Sequence, residues 1–242
     1  MKQRFMKAIV LTYDRNAILT DHMIACYRDL WPGHPFIFRI PYQNPDRCSP
    51  AIDLEYRKTP GDIKNTVLQL LVDLPDDEWI YWCIDDRYPV FLDTVALCHF
   101  MQLLERESDN SFSGLLCCRA ATMQRENQLT GFSCQRWEIT LLERKNYFRI
   151  WVHQFVRVKV IRNLFLGFPD VIARAGLMDP MKNSLIRPSD HNLYVTEQDH
   201  AHFEESSIKG VLTERCMTSL MDRGFEIPEW FQNQTVPNPD LG

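Results

Sequence analysis

Two adjacent carboxylates are the sharpest chemical signal in this chain of 242 residues. Asp85 and Asp86 follow Glu78-Trp-Ile-Tyr-Trp-Cys-Ile84, a run that is apolar on both faces. A strand of that kind belongs in the middle of a sheet covered by helices, and in open α/β sheets ligands bind beyond the carboxyl ends of the strands. Adjacent carboxylates there repel one another unless a cation or a basic group offsets the charge. A divalent metal bridging a diphosphate would do so, because hard cations take oxygen ligands and substrate phosphates. Arg87, the next residue, is the other solution, since a guanidinium can meet phosphate oxygens directly. The plainer reading is a solvated turn with Arg87 pairing locally; the position after a central strand favours the chemical one.

Glycine narrows the choice. The nine glycines stand at 33, 61, 114, 131, 167, 176, 210, 224 and 242, no two closer than nine residues. A P-loop and a dinucleotide fingerprint both need several glycines within about eight residues, so any nucleotide bound here is held without a glycine loop. A net charge of −5 argues against coating nucleic acid. No apolar run approaches the ~18 residues of a membrane span, and Ala8–Leu11 is too short for a signal-peptide core. The expected setting is cytoplasmic. Eight cysteines form no CxxC pair and read as free thiols, several of them buried. Asn233-Gln-Thr matches a glycosylation sequon by pattern only.

The elements that must position Asp85 and Asp86 follow from periodicity. Lys7–Thr12 reads as a buried strand ending in the polar Tyr13-Asp14-Arg15-Asn16. Apolar residues at 18, 23, 24, 27 and 30 predict a helix over 17–30, stopped by Trp31-Pro32-Gly33. Phe36–Ile40 is a second strand, 43–60 a loop, and 63–74 a helix capped by Asp62. After the central strand a loop over 85–89, a helix over 91–106 and a strand over 113–118 follow. Strand–helix–strand alternation over the first ~120 residues predicts an α/β fold with a mainly parallel sheet. The second half reads as irregular α+β: two or three strands over 132–163 ending in the alternating 155–160, short helices over 169–178 and 204–223, and a surface tail from Ile227.

This order of elements resembles the nucleotide-sugar-binding half of GT-A glycosyltransferases. Thr12-Tyr13-Asp14-Arg15-Asn16 occupies the place where that family often has a Tyr-Asn-Arg-like segment near the nucleotide, and about 70 residues later the Asp pair stands in for the Asp-x-Asp signature. The resemblance covers roughly residues 7–120 and lies in pattern. It implies one GT-A-like domain over 1–242, with 1–120 binding the nucleotide sugar and 121–242 facing the acceptor. It implies that Thr12, Tyr13, Asp14, Arg15, Lys64, Asp85 and Arg87 contact the donor, Lys64 from the helix start that faces the nucleotide. With Ile84-Asp85-Asp86 as the frame, Asp86 touches a Mn or Mg ion and Asp85 faces the sugar or ribose. With Asp85-Asp86-Arg87 as the frame, Arg87 replaces a ligand.

Leaving-group charge on a diphosphate is what such a site must stabilise, so Asp86 is a catalytic as well as a metal-binding candidate, with Asp85 beside it. An inverting enzyme also needs a carboxylate base. The family places it roughly a hundred residues after the acidic motif, where Asp170, Asp179 and Asp190 stand; Asp190, in Ser189-Asp-His-Asn192, is preferred. A late histidine often joins the metal: His191, His200 and His202 are the candidates, His191 foremost, whereas His99 reads as a core histidine. The basic stretch 144–162 can meet an anionic glycan, a lipid-linked acceptor or a membrane surface, or be the solvated face of a strand. Trp137 and Trp230 are the freer sugar-stacking aromatics. The expected function is transfer of a sugar from a nucleotide sugar to a glycan or lipid-linked acceptor. The rivals are a magnesium-dependent phosphohydrolase or nucleotidyltransferase, and a non-catalytic binding or assembly module on a transferase fold.

Overall fold

The computed structural model describes residues 5–172, 175–232 and 234–239; the sequon asparagine, Asn233, lies outside them. The first part of the chain forms β1 (Met6–Leu11), α1 (Ala17–Leu30), β2 (Phe36–Tyr42), β3 (Leu54–Lys58), α2 (Ile63–Leu70), β4 (Trp79–Ile84), β5 (Arg87–Leu92), α3 (Thr94–Glu105) and β6 (Phe112–Leu116). The second part forms α4 (Ala120–Arg125), β7 (Leu129–Arg136), β8 (Ile139–Arg144), β9 (Gln154–Arg157), α5 (Val158–Gly167), α6 (Met178–Ser184) and β10 (Asn192–Thr196). It ends with β11 (Ala201–Glu205), β12 (Ser207–Ile208), β13 (Val211–Thr213), α7 (Glu214–Asp222), α8 (Glu229–Gln232) and β14 (Thr235–Val236).

Among the described residues nine strands make the main sheet, in the order β3-β2-β1-β4-β9-β6-β10-β8-β7. β3, β2, β1 and β4 are parallel. β9 is antiparallel to β4 and to β6, so β6 points the same way as β4, and β10 follows β6 in parallel. β8 and β7 finish the sheet with antiparallel pairing. The result is the expected α/β architecture, a mainly parallel central sheet flanked by helices. β9, from the second part of the chain, sits in its centre.

Period-two alternation divides the strand residues between two cores. Ala8, Val10, Tyr81 and Cys83 pack with residues of α1, α3 and α7; Ile9, Ile80 and Trp82 pack with residues of α2 and α5. All six residues of β4 are buried, as its sequence predicts. Each large apolar side chain so buried contributes ~1.5–3 kcal/mol. Trp82, the bulkiest, satisfies its indole by donating to the Ile150 carbonyl at 3.0 Å.

Helix signals at the first turns work as read. Asp62 caps α2 by accepting from the Asn65 amide at 2.9 Å, and α1 occupies the predicted span before Gly33 turns the chain at φ +74°. Other boundaries move. The 43–60 loop contains edge strand β3. Arg87–Leu92 is not a loop but β5, which pairs with β11 in a separate two-stranded sheet. The expected strand over 155–160 ends at Arg157, and Val158–Val160 begin α5. The helix expected over 204–223 is confined to Glu214–Asp222, because β11, β12 and β13 take up residues 201–213. Of the helix expected over 169–178, residues 173 and 174 lie outside the described residues, Ala175–Leu177 form a 3-10 turn, and α6 begins at Met178.

Candidate functional site

The chain winds outward from β1 through α1 to β2 and β3, then returns through α2 to β4 on the other side of β1. The carboxyl ends of β1 and β4 therefore border the point where the strand order reverses, the place where open α/β sheets leave a crevice for ligands. Thr12 and Asp85 meet there. The Thr12 hydroxyl donates to Asp85 Oδ2 at 2.6 Å, the Thr20 hydroxyl donates to Thr12 Oγ1 at 2.8 Å, and the Asp85 amide donates to the Leu11 carbonyl at 3.2 Å. Tyr13 stands at the rim with half its surface exposed, close enough for the Asp85 charge to reinforce burial in raising its phenol pKa.

The electrostatics of the pair are unfavourable for two anions. Burial pushes the Asp85 carboxyl up to about 7; the charge of Asp86 adds to the push, and hydrogen bonds from Thr12 and Asn16 oppose it. Burial likewise pushes Asp86 up to about 6, with Arg87 opposing and Glu205 adding. Asp86 Oδ1 is sealed from solvent and has no hydrogen-bond partner, although the residue as a whole is only partly buried. Its carbonyl accepts from the Ser206 amide at 2.6 Å, which ties the turn to the end of β11. Arg87 donates Nε to the Trp151 carbonyl at 2.9 Å and Nη2 to Glu205 Oε1 at 2.7 Å. Its Nη1 is buried without a partner. A buried carboxylate oxygen with no donor and two raised carboxyl groups fit a hard cation shared with a diphosphate. Two carboxylates are what the protein supplies: among the described residues no group of three or more His, Cys, Asp or Glu is arranged to hold a metal ion.

Other sequence candidates have structural partners. Asp14 accepts from the amides of Gln43 and Asn44 at 3.1 and 2.7 Å and so clamps the segment after β2. Arg15 lies 5.9 Å from the Trp230 ring centre, a cation–π contact that joins the first loop to α8. Lys64 does not turn to the acidic pair. Its ammonium is drawn to the Phe168 carbonyl at 2.7 Å and Asp170 Oδ1 at 2.8 Å, which fastens α2 to the end of α5.

Asp190 and His191 are not brought to the site. They immediately precede β10, which is parallel to β6 and hence to β4. They sit at the amino ends of the strands, whereas Asp85 and Asp86 sit at the carboxyl end, a strand length or roughly 20 Å away. Asp190 is exposed and pairs with Lys159 at 3.3 Å, which is the physical reason its carboxyl is held below the usual range. The structure thus places the expected base and the expected histidine ligand away from the acidic pair. Asp170 is the partner of Lys64, and Asp179 pairs with Lys182 at 2.9 Å. His200 Nδ1 lies 3.1 Å from Asp93. His99 is exposed rather than part of the core. The buried histidine under the pair is His153, whose Nε2 lies 2.9 Å from the Ile84 carbonyl and whose pKa burial depresses to about 3.

Sequence reasoning passed over Cys118 and Arg119, just beyond β6, although it singled out His202 and the basic stretch that holds Arg149. Cys118 and Arg119 lead into α4, and with Arg125, Arg149, Asp199, His202, Glu205 and Pro239 they line a cavity of about 330 Å³. Asp199 follows β10 and Arg119 follows β6, so this cavity opens on the same sheet edge as Asp85 and Asp86. Glu205, bound to Arg87, joins the two regions. One signal was available: Asp199 follows the short apolar run Leu193-Tyr-Val195, as Asp85 follows Trp79–Ile84. Arg119, isolated after Cys117-Cys118, carries none.

No family model matches the chain, and no curated protein is significantly similar to it. It is similar in structure to the 2-C-methyl-D-erythritol 4-phosphate cytidylyltransferase of Francisella tularensis, at 11% identity and a TM-score of 0.37, over 66% of this chain and 76% of that one. An active-site mutant of LgtC matches at 10% identity and a TM-score of 0.40, over 77% and 68%. The 4-diphosphocytidyl-2C-methyl-D-erythritol synthase of Anaerococcus prevotii matches at 8% identity and a TM-score of 0.39, over 91% and 96%. The element order that carries the resemblance in the sequence, from β1 through Thr12–Asn16, α1, β2, α2 and β4 to the Asp pair, is present in the fold.

Proposed function

We propose that the protein is a nucleotide-sugar-dependent glycosyltransferase whose donor binds at the carboxyl ends of β1 and β4. The observation that carries this reading is the Asp85–Asp86 pair. Two carboxyl groups raised by burial, one with an orphaned oxygen, are delivered to the topological switch point by a wholly buried central strand. Such a pair is costly to keep ionised in the free protein, and a divalent cation carrying a diphosphate removes the cost. Asp85 and Asp86 would hold that cation, and when bound it would neutralise charge developing on the leaving diphosphate. Thr12 fixes the Asp85 carboxyl in place, and exposed Tyr13 offers a ring at the rim for the base or ribose. Arg87 lies beside the pair, and its spare Nη1 is a second source of positive charge for the leaving group.

The test is thermal shift and calorimetry with nucleoside diphosphates, with and without Mn2+. Saturable binding that Mn2+ strengthens, and that Asp86→Ala weakens at least tenfold, is the expected result. Absence of any nucleotide-induced shift would sink the reading. A shift that Asp86→Ala leaves intact would remove the metal assignment. Asp85→Asn and Asp86→Asn should abolish transfer while the chain stays folded.

A further inference from the structure

We propose that the cavity beside Arg119 is an oxyanion subsite, which takes a carboxylate or phosphate group carried by the acceptor. The word acceptor rests on the transferase reading above; the anion site itself rests on the following geometry.

Arg119, Arg125, Arg149 and His202 line the cavity together with the carboxylates Glu126, Asp199 and Glu205, and Arg87 adjoins it through Glu205. Two of these carboxylates are paired with other arginines, and the third has one amide donor. Glu205 holds Arg87, Glu126 holds Arg149, and Asp199 accepts from the Ala120 amide at 3.4 Å. Among the described residues the side chains of Arg119 and Arg125 have no hydrogen bond or ion pair. Arg119 is half-buried, and its positive charge is disfavoured first by that burial and then by Arg87 and Arg149. A guanidinium is a planar fork of donors that stays charged in proteins and matches carboxylate and phosphate oxygens. Arg119 is half-buried in the cavity wall near other guanidiniums, an environment that an oxyanion would make more favourable.

The backbone gives an independent sign. Arg119 adopts φ +68° and ψ +22°, the left-handed region, at the start of α4. A non-glycine residue there is strained, and strain of this kind concentrates at functional sites. Arg119 stands beyond the end of β6, on the edge where Asp85 and Asp86 lie. The cavity, about 330 Å³, has room for a sugar-sized group.

The test is isothermal titration of the full-length chain with inorganic phosphate, glucuronate and glucose at low ionic strength, in the wild type, Arg119→Gly, Arg119→Gln and Arg125→Gln. One or both anions should bind at a single site and glucose should not. Phosphate without glucuronate indicates a phosphorylated acceptor, and glucuronate indicates a uronic-acid-type acceptor. Arg119→Gly and Arg119→Gln should weaken anion binding about tenfold or more, and Arg125→Gln less. Arg119→Gly guards against misfolding, because glycine takes φ +68° freely and its melting temperature should be no lower than that of the wild type. Equal binding of glucose, no anion binding up to millimolar concentration, or anion affinity unchanged in Arg119→Gly overturns the proposal. A nucleoside diphosphate titrated into the same variants should bind as in the wild type. If it fails to bind even the wild type, the transferase reading falls while the anion titration still decides the subsite.

Discussion

At the scale of the residue, the acidic pair sets a pH dependence whose sign can be worked out. Asp85 and Asp86 titrate near 7 and 6 in the folded chain, against about 4 when unfolded. Between those values the folded state binds more protons than the unfolded state, so stability falls as pH rises. The metal-free protein in chelator should be most stable at or below about pH 4 as far as these groups decide it, and should lose several kcal/mol by pH 8. Asp85→Asn should flatten that slope and melt higher than the wild type at pH 8; melting curves from pH 4 to 8 check it, and parallel slopes for the two proteins would contradict it. Thr12→Val removes the hydroxyl that donates to Asp85 Oδ2 and accepts from Thr20. It should cost about 1–3 kcal/mol at pH 8, where the carboxylate is left without its donor, and less at pH 5. Denaturant titration at the two pH values separates these. Arg119→Gly should raise stability by up to about 1 kcal/mol by relieving a left-handed residue.

At the scale of the element, the informative case is the stretch 144–162, whose alternating basic residues read as the solvated face of a strand. Arg144 and Arg157 are in fact buried. Arg157 donates to three carbonyls, Nε to Phe112, Nη1 to Asp77 and Nη2 to Glu107, and lies 4.8 Å from the Trp79 ring centre. It joins the start of β4, the start of β6 and the end of α3 where β9 ends and α5 begins. Arg157→Met should therefore cost about 2–4 kcal/mol by orphaning carbonyls, beyond what a surface arginine would cost; a change under 0.5 kcal/mol in urea denaturation would show that the ties are dispensable. Local pattern could not reveal this, because a charged residue on an alternating strand looks the same whether water or carbonyls receive it. Local pattern did suffice for β1, α1, α2 and β4, where burial on one or both faces, a cap or a stop residue is written in adjacent residues. It also sufficed for Thr12 and Asp85, because strand ends are local features. It failed for Lys64, Asp190 and Arg119. Asp190's place depends on which way a distant strand runs: β10 is parallel to β4, so a residue before β10 is on the wrong edge. Lys64's depends on the end of α5 packing beside α2, and Arg119's on which segments of the second half wall its cavity.

At the scale of the whole molecule, the last described segment closes one side of the site. β14 pairs in parallel with β13 through Leu212–Thr235 and Thr213–Val236. Beyond it Asn238 accepts from the Arg215 amide at 3.0 Å, and Pro239 reaches the wall of the Arg119 cavity. The tail expected to run over the surface thus adds a strand and a wall. A short ladder with few buried apolar contacts is weakly held, so its effect belongs more to the cavity than to the core. Deleting residues 233–242 should leave the main sheet intact, because none of its nine strands is lost. The lost backbone pairs and the Asn238 contacts should cost about 1–2 kcal/mol, which lowers the melting temperature by about 2–8 °C in a chain of this size. Opening the cavity should also raise the effective dielectric around Arg119 and expose it to salt. Phosphate affinity should fall several-fold and become steeper in ionic strength, with nucleoside diphosphate binding at β1 and β4 unchanged. Calorimetry at two salt concentrations on the truncated and full chains reads this directly. Identical phosphate affinity and salt slope in the two proteins would show that the segment only borders the cavity without shaping what it binds.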